Sequence, residues 1–291
     1  MRRIEESELI LNKDGSIFHL HLLPEQIAEN VILVGDQDRV EMVSKHFDKI
    51  EYEVQNREFR TNTGIYKGKR ISVVSTGIGT DNIDIVLNEL DAICNIDLKT
   101  RIAKDSHKAL NIIRIGTSGA IQEDIPVDTP VISEMAIGFD GLLSYYANRD
   151  EICNLEIEKA FLEHTNWYSK LAVPYFINSS PHLLNVIGKD MIKGLTISAP
   201  GFYAPQGRVL RLPLNDSGLN DKIASFKFNN KRITNFEMES SAIYGLSKLL
   251  GHNAVTVCNI IANRVRKEYS EDYKKSMEIL IEKILTRILD L

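Results

Sequence analysis

The chain has 291 residues, 43% hydrophobic and 26% charged, the proportions of a soluble globular protein long enough for one large α/β domain or two small ones. Its net charge of -5 lacks the basic footprint of a nucleic-acid binder, and no apolar run approaches the ~20 residues that a membrane helix needs. Cys94, Cys153 and Cys258 lie far apart, match no zinc spacing and fall in apolar or mixed stretches. Buried thiols are therefore expected, and an odd cysteine count behind a charged, non-apolar N-terminus predicts a reducing, cytoplasmic location.

In chain order, residues 31–34 (Val-Ile-Leu-Val) read as a short buried strand. The chain then runs through Gly35-Asp-Gln-Asp-Arg39 into a helix marked by Val40, Val43 and Phe47, with Asp36 or Asp38 as its cap. Residues 71–74 form the next strand and end in Ser75-Thr-Gly-Ile-Gly79, after which Asp81 or Asn82 opens a helix carrying Ile85, Val86 and Ile93. Strands follow at 112–115 and 130–133, then a helix with mixed faces at 154–172 and a strand at 195–198. Residues 238–250 read as a helix stopped by Gly251, 255–261 as a strand, and 270–289 as an amphipathic helix with Met277, Leu280, Ile284 and Ile288 on one face. Residues 141–156 read as a surface insertion and 214–222 as a turn-rich loop. Strands alternating with helices predict an α/β fold with a central, largely buried mixed sheet flanked by helices. With no repeat, low-complexity tract or linker, residues 1–291 are expected to form a single domain.

One residue breaks the pattern of its element. In Asn111-Ile-Ile-Arg-Ile-Gly-Thr-Ser-Gly-Ala-Ile-Gln122, Arg114 interrupts an apolar strand. A buried guanidinium is costly unless an anion meets it. Thr117 and Ser118, standing between Gly116 and Gly119, read as a turn where backbone approaches a ligand. One reading is the wall of a phosphate or carboxylate pocket; the other is an internal pair with Asp or Glu. This segment alone weighs them evenly.

Other strand ends carry polar turns, where ligands gather in open α/β sheets. Gly35 offers backbone N–H groups near a helix start, and Arg39 reaches back toward the same point. Arg57 lies in the polar stretch Gln55-Asn-Arg-Glu-Phe59. Arginine suits phosphate through paired hydrogen bonds, although Arg39 and Arg57 taken singly read as surface charges. Thr76-Gly-Ile-Gly-Thr-Asp-Asn82 has Asn82 where a dinucleotide fingerprint needs its third glycine, and no Walker lysine motif occurs. In Asn235-Phe-Glu-Met-Glu-Ser240 a strand meets a helix. Glu237 and Glu239 either favour the helix dipole or place one carboxylate on sugar hydroxyls above Met238. In Phe202-Tyr-Ala-Pro-Gln-Gly-Arg208, Phe202 offers a stacking ring and Gln206 and Arg208 offer donors and an acceptor; alone, the loop reads slightly better as an exposed turn. His19 suits either a ligand contact or a satisfied core position.

Taken in order from about Ile17 to Arg264, these segments resemble the nucleoside phosphorylase family, most closely its uridine-cleaving members. The motifs are Phe18-His19, Val34-Gly-Asp-Gln-Asp-Arg39, Arg57-Glu-Phe59, Ser75-Thr-Gly-Ile-Gly79, Arg114 to Gln122, Phe202 to Arg208, Phe236-Glu-Met-Glu-Ser240 and Asn263-Arg264. Each is weak alone; the ordered set is specific. The resemblance implies that Gly35, Arg39, Arg114 and Thr117 hold phosphate, with Arg57 completing the site from a neighbouring subunit. It places His19 across the same interface at the 5′ side of the sugar, and Met238 and Glu239 on the ribose. Ser118, Gly119, Phe202, Gln206, Arg208 and Phe236 then surround the base, with Gln206 and Arg208 reading its uracil edge. Arg114, Thr117, Arg208 and Glu239 are the implied catalytic set.

The implied reaction is reversible phosphorolysis of uridine to uracil and ribose 1-phosphate through an oxocarbenium-like transition state. Inorganic phosphate is the co-substrate and no cofactor is implied. Purine-specific relatives place an aspartate after the late strand, which here ends Ile260-Ile-Ala-Asn-Arg264. Ser118 stands where bacterial pyrimidine enzymes commonly have threonine, and the Pro and Gly around Gln206 are rearranged. Glu58 and Ile78 match a monovalent-cation site of bacterial relatives, but Asn82 replaces its serine, so no metal is expected. A shared site implies a homo-oligomer, a dimer at least and a hexamer by resemblance. The competing readings are a purine-preferring phosphorylase, a nucleosidase that uses water, and a catalytically silent nucleoside-binding protein.

Overall fold

The computed structural model describes residues 2–291. Parallel strands flanked by helices build its first half. β1 (Asn30–Val34) leads into α1 (Gln37–Ser44), whose N-terminus is capped by Asp36, its side chain accepting from the Asp38 N–H. Two strands absent from the sequence reading follow: β2 (Lys49–Asn56) and β3 (Phe59–Tyr66) form an antiparallel hairpin. β2 alternates exposed and half-buried residues and carries Lys49, Glu51 and Glu53, charges that suit the sheet edge it occupies. β4 (Lys69–Ser75) returns beside β1, and α2 (Thr80–Asn95) covers the sheet before the short hairpin β5 (Ile96–Asp97) and β6 (Ile102–Ala103).

β7 (Asn111–Ala120) is longer than expected. Gly116-Thr-Ser-Gly119 is strand, not turn, because it continues pairing with β13. β8 (Pro130–Gly138) is followed by a short helical turn at Leu142–Tyr145, by α3 (Arg149–Ile152) and by α4 (Leu155–Thr165). The 141–156 insertion is therefore anchored rather than purely superficial, since Leu143 is fully buried. α4 ends at Thr165, short of the expected 172, where Asn166 turns left-handed. β9 (Tyr175–Asn178), α5 (Pro181–Ile187) and β10 (Ile192–Ser198) follow. The expected loop at 214–222 instead leads into α6 (Leu219–Ser225), then β11 (Lys227–Phe228) and β12 (Lys231–Glu237). α7 (Ser240–Leu249), β13 (Asn253–Asn263), β14 (Glu268–Tyr269) and α8 (Tyr273–Ile288) complete the chain.

The main sheet runs β11-β12-β10-β8-β13-β7-β1-β4-β3-β2, with parallel pairs on either side of an antiparallel β8–β13 pair at its centre and antiparallel pairs at the hairpins. β12 also pairs antiparallel with β7, through Asn235 to Ala120 and Phe236 to Gly119, so that end of the sheet curls back on itself. Apolar clusters pack both faces. One unites Ile112 with α2 and α7 through Leu87, Leu90, Ile243 and Leu246; the other unites Ile113 and Ile115 with α1 and α8 through Val40, Val43, Ile281 and Ile284. The two-residue period of a strand thus turns Arg114 to the α2–α7 face with Ile112. Among the described residues no helix is long and apolar enough to cross a membrane. Cys94 and Cys258 are buried as expected, whereas Cys153 is only half-buried.

Candidate active site

A cleft of about 940 Å³ opens beyond the C-terminal ends of the central strands. β1 delivers Gly35 and the start of α1 delivers Arg39; β4 leads to Gly77 and Ile78; β7 supplies Arg114, Thr117, Ser118 and Gly119; β12 ends in Phe236 to Glu239; and the loop after β10 contributes Phe202, Gln206 and Arg208. All of these line one cavity. The closing contact between β12 and β7 is what brings the late motif against the Arg114 strand.

Charge is sorted along the cleft. Arg114 is almost completely buried; its Nη2 is in direct contact with a Glu239 carboxylate oxygen and lies 3.5 Å from Glu237 Oε2. Burial pulls the Arg114 pKa down, but Glu239 and then Glu237 outweigh it and hold the guanidinium firmly charged. Arg39 stands beside it, donating only to the Ile115 carbonyl at 3.4 Å. Burial and then the like charge of Arg114 lower its pKa. Among the described residues Arg39 has no salt-bridge partner, whereas Arg114 has two carboxylates, so the unpaired cation at this end of the cleft is Arg39. An oxyanion is the group that relieves such an arrangement.

Glu237 and Glu239 divide the two readings made of them. Glu237 serves the helix: its carboxylate accepts from the Glu239 and Ser240 N–H groups at 3.0 Å and from Ser198 Oγ at 2.5 Å. Glu239 faces the cleft, held by Arg114 and by the Gly79 N–H at 2.8 Å. Burial raises its pKa, Arg114 opposes the rise and Glu237 adds to it. Met238, half-exposed between them, lines the same wall.

At the other end the rearranged loop has a defined path. Residues 204–206 make a short helical turn, and Gly207 follows at φ +74°, where a Cβ would sit 2.0 Å from Asn220 Nδ2. Gln206 is buried, contrary to a plain exposed turn. Its Oε1 accepts from Arg208 Nη1 at 2.7 Å and from Arg264 Nη2 at 3.0 Å. Its Nε2 remains a donor. Arg208 lies over the Phe202 ring at 3.7 Å and Arg264 over Phe236 at 5.1 Å. Arg264, singled out only as part of a motif, proves to be the cation that orients Gln206. Its signal was the charge directly after the last long strand. Ser118 Oγ, by contrast, already accepts from Asn235 Nδ2 at 2.9 Å.

Two expected residues do not line this cleft. Arg57 sits at the tip of the β2–β3 hairpin, 5.6 Å over the Phe18 ring, and His19 follows Phe18 directly. Both lie together, outside their own chain's cleft. Glu58, Ile78 and Asn82 do line it, on the wall beside Gly77.

Residues 29–290 match the pattern of the Phosphorylase superfamily. A uridine phosphorylase of Thermococcus kodakarensis is 32% identical, over 92% of this chain and 85% of its own. A DeoD-type purine nucleoside phosphorylase of Colwellia psychrerythraea is 25% identical, over 92% of this chain and 98% of its own. Among solved structures, a Trypanosoma brucei nucleoside phosphorylase described as showing uridine phosphorylase activity superposes with a TM-score of 0.89 at 31% identity, covering 97% of this chain and all of that one.

Proposed function

The chain belongs to the phosphorylase superfamily, and from that premise we propose that it catalyses the reversible phosphorolysis of uridine to uracil and ribose 1-phosphate. The observation that carries the reading is the juxtaposition of Arg39 and Arg114 at one end of a cleft whose other end holds Gln206 and Arg208.

Phosphate binds at Gly35, Arg39, Arg114 and Thr117, with Arg57 of the partner subunit closing the site. Glu239 accepts from the ribose hydroxyls above Met238, and His19 of the partner subunit meets the 5′ side. Ser118, Gly119, Phe202 and Phe236 pack the base; Gln206 and Arg208 bind its edge, oriented by Arg264. A phosphate oxygen forms a bond to the anomeric carbon as the glycosidic bond breaks, and the bonding pair leaves on the pyrimidine. Arg208 stabilises that negative charge, and the arginines hold the nucleophile in line. The chemistry asks for no cofactor beyond phosphate as co-substrate. Because Arg57 and His19 lie outside their own cleft, a dimer is the smallest complete unit; a hexamer assembled from dimers satisfies the same requirement. A cytoplasmic location accords with this salvage chemistry.

A substrate panel with and without phosphate tests the reading. Uridine is expected to be cleaved only with phosphate, releasing ribose 1-phosphate. Phosphate-independent cleavage would make the protein a nucleosidase, faster cleavage of inosine would make it a purine enzyme, and binding without turnover would make it a silent binding protein.

A further inference from the structure

The segment that carries His19 is held from below by one carboxylate. Glu89, on α2, accepts from the His19 N–H at 3.0 Å, from the Leu20 N–H at 2.8 Å and from His19 Nδ1 at 2.6 Å. From the other side Asn56 Nδ2 donates to the His19 carbonyl at 2.8 Å. The ring is wedged edge-on between Phe18 and Phe59, with centroids 4.8 and 6.4 Å away. The backbone and the imidazole are thus fixed together, and Asn56 ties them to the adjoining Arg57. Glu89 takes part in none of the contacts of the cleft.

An ionised carboxylate only accepts hydrogen bonds. With Nδ1 2.6 Å from Glu89 Oε1, the proton of the neutral ring is on Nδ1. The side chain is partly exposed, and Nε2 is then an acceptor. Carboxylate pairing of this kind sets both tautomer and ring direction.

We propose that Glu89 is a positioning residue for specificity at the 5′ end of the nucleoside. By fixing the Nδ1–H tautomer of His19 it presents an acceptor to the partner's site, and so favours substrates with a donating 5′-hydroxyl over 5′-O-methyl analogues, whose ether oxygen can only accept. This rests on the proposed uridine phosphorolysis and extends it to a residue outside the cleft.

The test pairs kinetics with a direct view of the ring. Wild type is expected to prefer uridine over 5′-O-methyluridine by about fivefold or more in kcat/KM, the worth of one neutral hydrogen bond. In Glu89→Gln the amide can donate to Nδ1 and reverse the tautomer, so Nε2–H donates to either 5′ oxygen and the ratio should fall, mainly through the KM for the 5′-O-methyl analogue. A purely structural role would slow both substrates alike and leave the ratio intact. Nitrogen-15 NMR of wild type at alkaline pH should show His19 protonated at Nδ1. An Nε2–H tautomer overturns the proposal even if Glu89→Gln fails to fold, as does an unchanged ratio in a folded variant. If wild type does not cleave uridine at all, the parent reading falls and this one with it; cleavage of uridine with no preference over the 5′-O-methyl analogue overturns this one alone.

Discussion

Glu239 pairs directly with Arg114 on the cleft floor, and Glu237 stands 3.5 Å from the same guanidinium nitrogen. The two readings of a buried strand arginine, internal pair and oxyanion site, therefore coexist at one residue. A guanidinium has five donors in a fixed fork. Glu239 engages Nη2, while Nη1 reaches Cys258 Sγ only at 3.7 Å, so donor capacity remains on Nη1.

The pair should respond asymmetrically to truncation. Arg114→Ala leaves two buried carboxylates without their cation, and we expect a loss of about 3–5 kcal/mol in urea unfolding. Glu239→Gln keeps the shape and leaves Glu237 as partner, and should cost no more than about 1 kcal/mol. Both should abolish phosphorolysis. Equal destabilisation by the two variants would refute this division.

Stability should also carry the signature of Glu239. Burial holds its pKa above the ordinary carboxylate range. The folded chain then binds this proton more tightly than the unfolded chain. The stabilisation is complete below the ordinary glutamate value of about 4.3 and is lost as pH rises through the folded value. The glutamine variant does not titrate there. The stability of wild type minus that of Glu239→Gln should thus decline as pH is raised from about 4 through the folded value, measured in phosphate-free buffer. A difference independent of pH contradicts the assignment.

Much of this was legible in the sequence where one rule acted alone. Apolar runs such as 31–34 and 112–115 mark strands, and Gly35 and Asp36 mark the first helix start. The β2–β3 hairpin does carry a signal, since Ile50, Tyr52 and Val54 alternate with Lys49, Glu51 and Glu53 as in a half-exposed edge strand, but continuous apolar runs of the kind that mark the buried strands are missing from Lys49 to Asn56. The Thr117-Ser118 segment looked like a turn because its glycines signal one; pairing with β13 overrides that local preference. Which of Glu237 and Glu239 serves the helix, and what Arg264 pairs with, could not be read for another reason. They depend on which residue the fold brings opposite: Ser198 and the α7 backbone for Glu237, the Gln206 loop for Arg264.

Gly116 illustrates the difference, since its use is spatial rather than conformational. A Cβ there would lie 1.7 Å from Arg114 Nη1. The glycine lets the arginine fold back along its own strand toward Cys258 and Glu239. Gly116→Ala should displace the guanidinium and raise the KM for phosphate by about 100-fold or more, the scale of a lost charge-assisted contact. Gly119, with no contact closer than 3.9 Å, should accept alanine with much smaller effect on the same constant. Wild-type phosphate kinetics in Gly116→Ala would show that the close approach is inconsequential.

At the base end, Arg208 donates to the Phe202 carbonyl at 2.5 Å and to Gln206, but buries little core. Arg208→Ala should lower kcat/KM for uridine by about 100-fold, as loss of a charge-stabilising donor does. Thermal stability should change by less than about 0.5 kcal/mol, as for a partly exposed side chain. Unchanged kinetics would remove Arg208 from the reaction.

Shared sites make a prediction that no single-subunit arrangement can imitate. If Arg57 serves the neighbour while Arg208 serves its own cleft, Arg57→Ala and Arg208→Ala proteins are each nearly inactive for different reasons. In a hybrid dimer, the subunit bearing Arg57→Ala keeps its own Arg208 and receives Arg57 from its partner. One of its two sites is therefore intact, and the other lacks both arginines. Random reassortment of equal amounts makes half the dimers hybrid, so about a quarter of wild-type activity should return after mixing and refolding together. Larger closed assemblies built from such dimers give the same fraction, since the pairing is within the dimer. Activity no greater than the sum of the two separate variants would place Arg57 outside the partner's site, and would return it to the surface charge that its sequence context alone suggested.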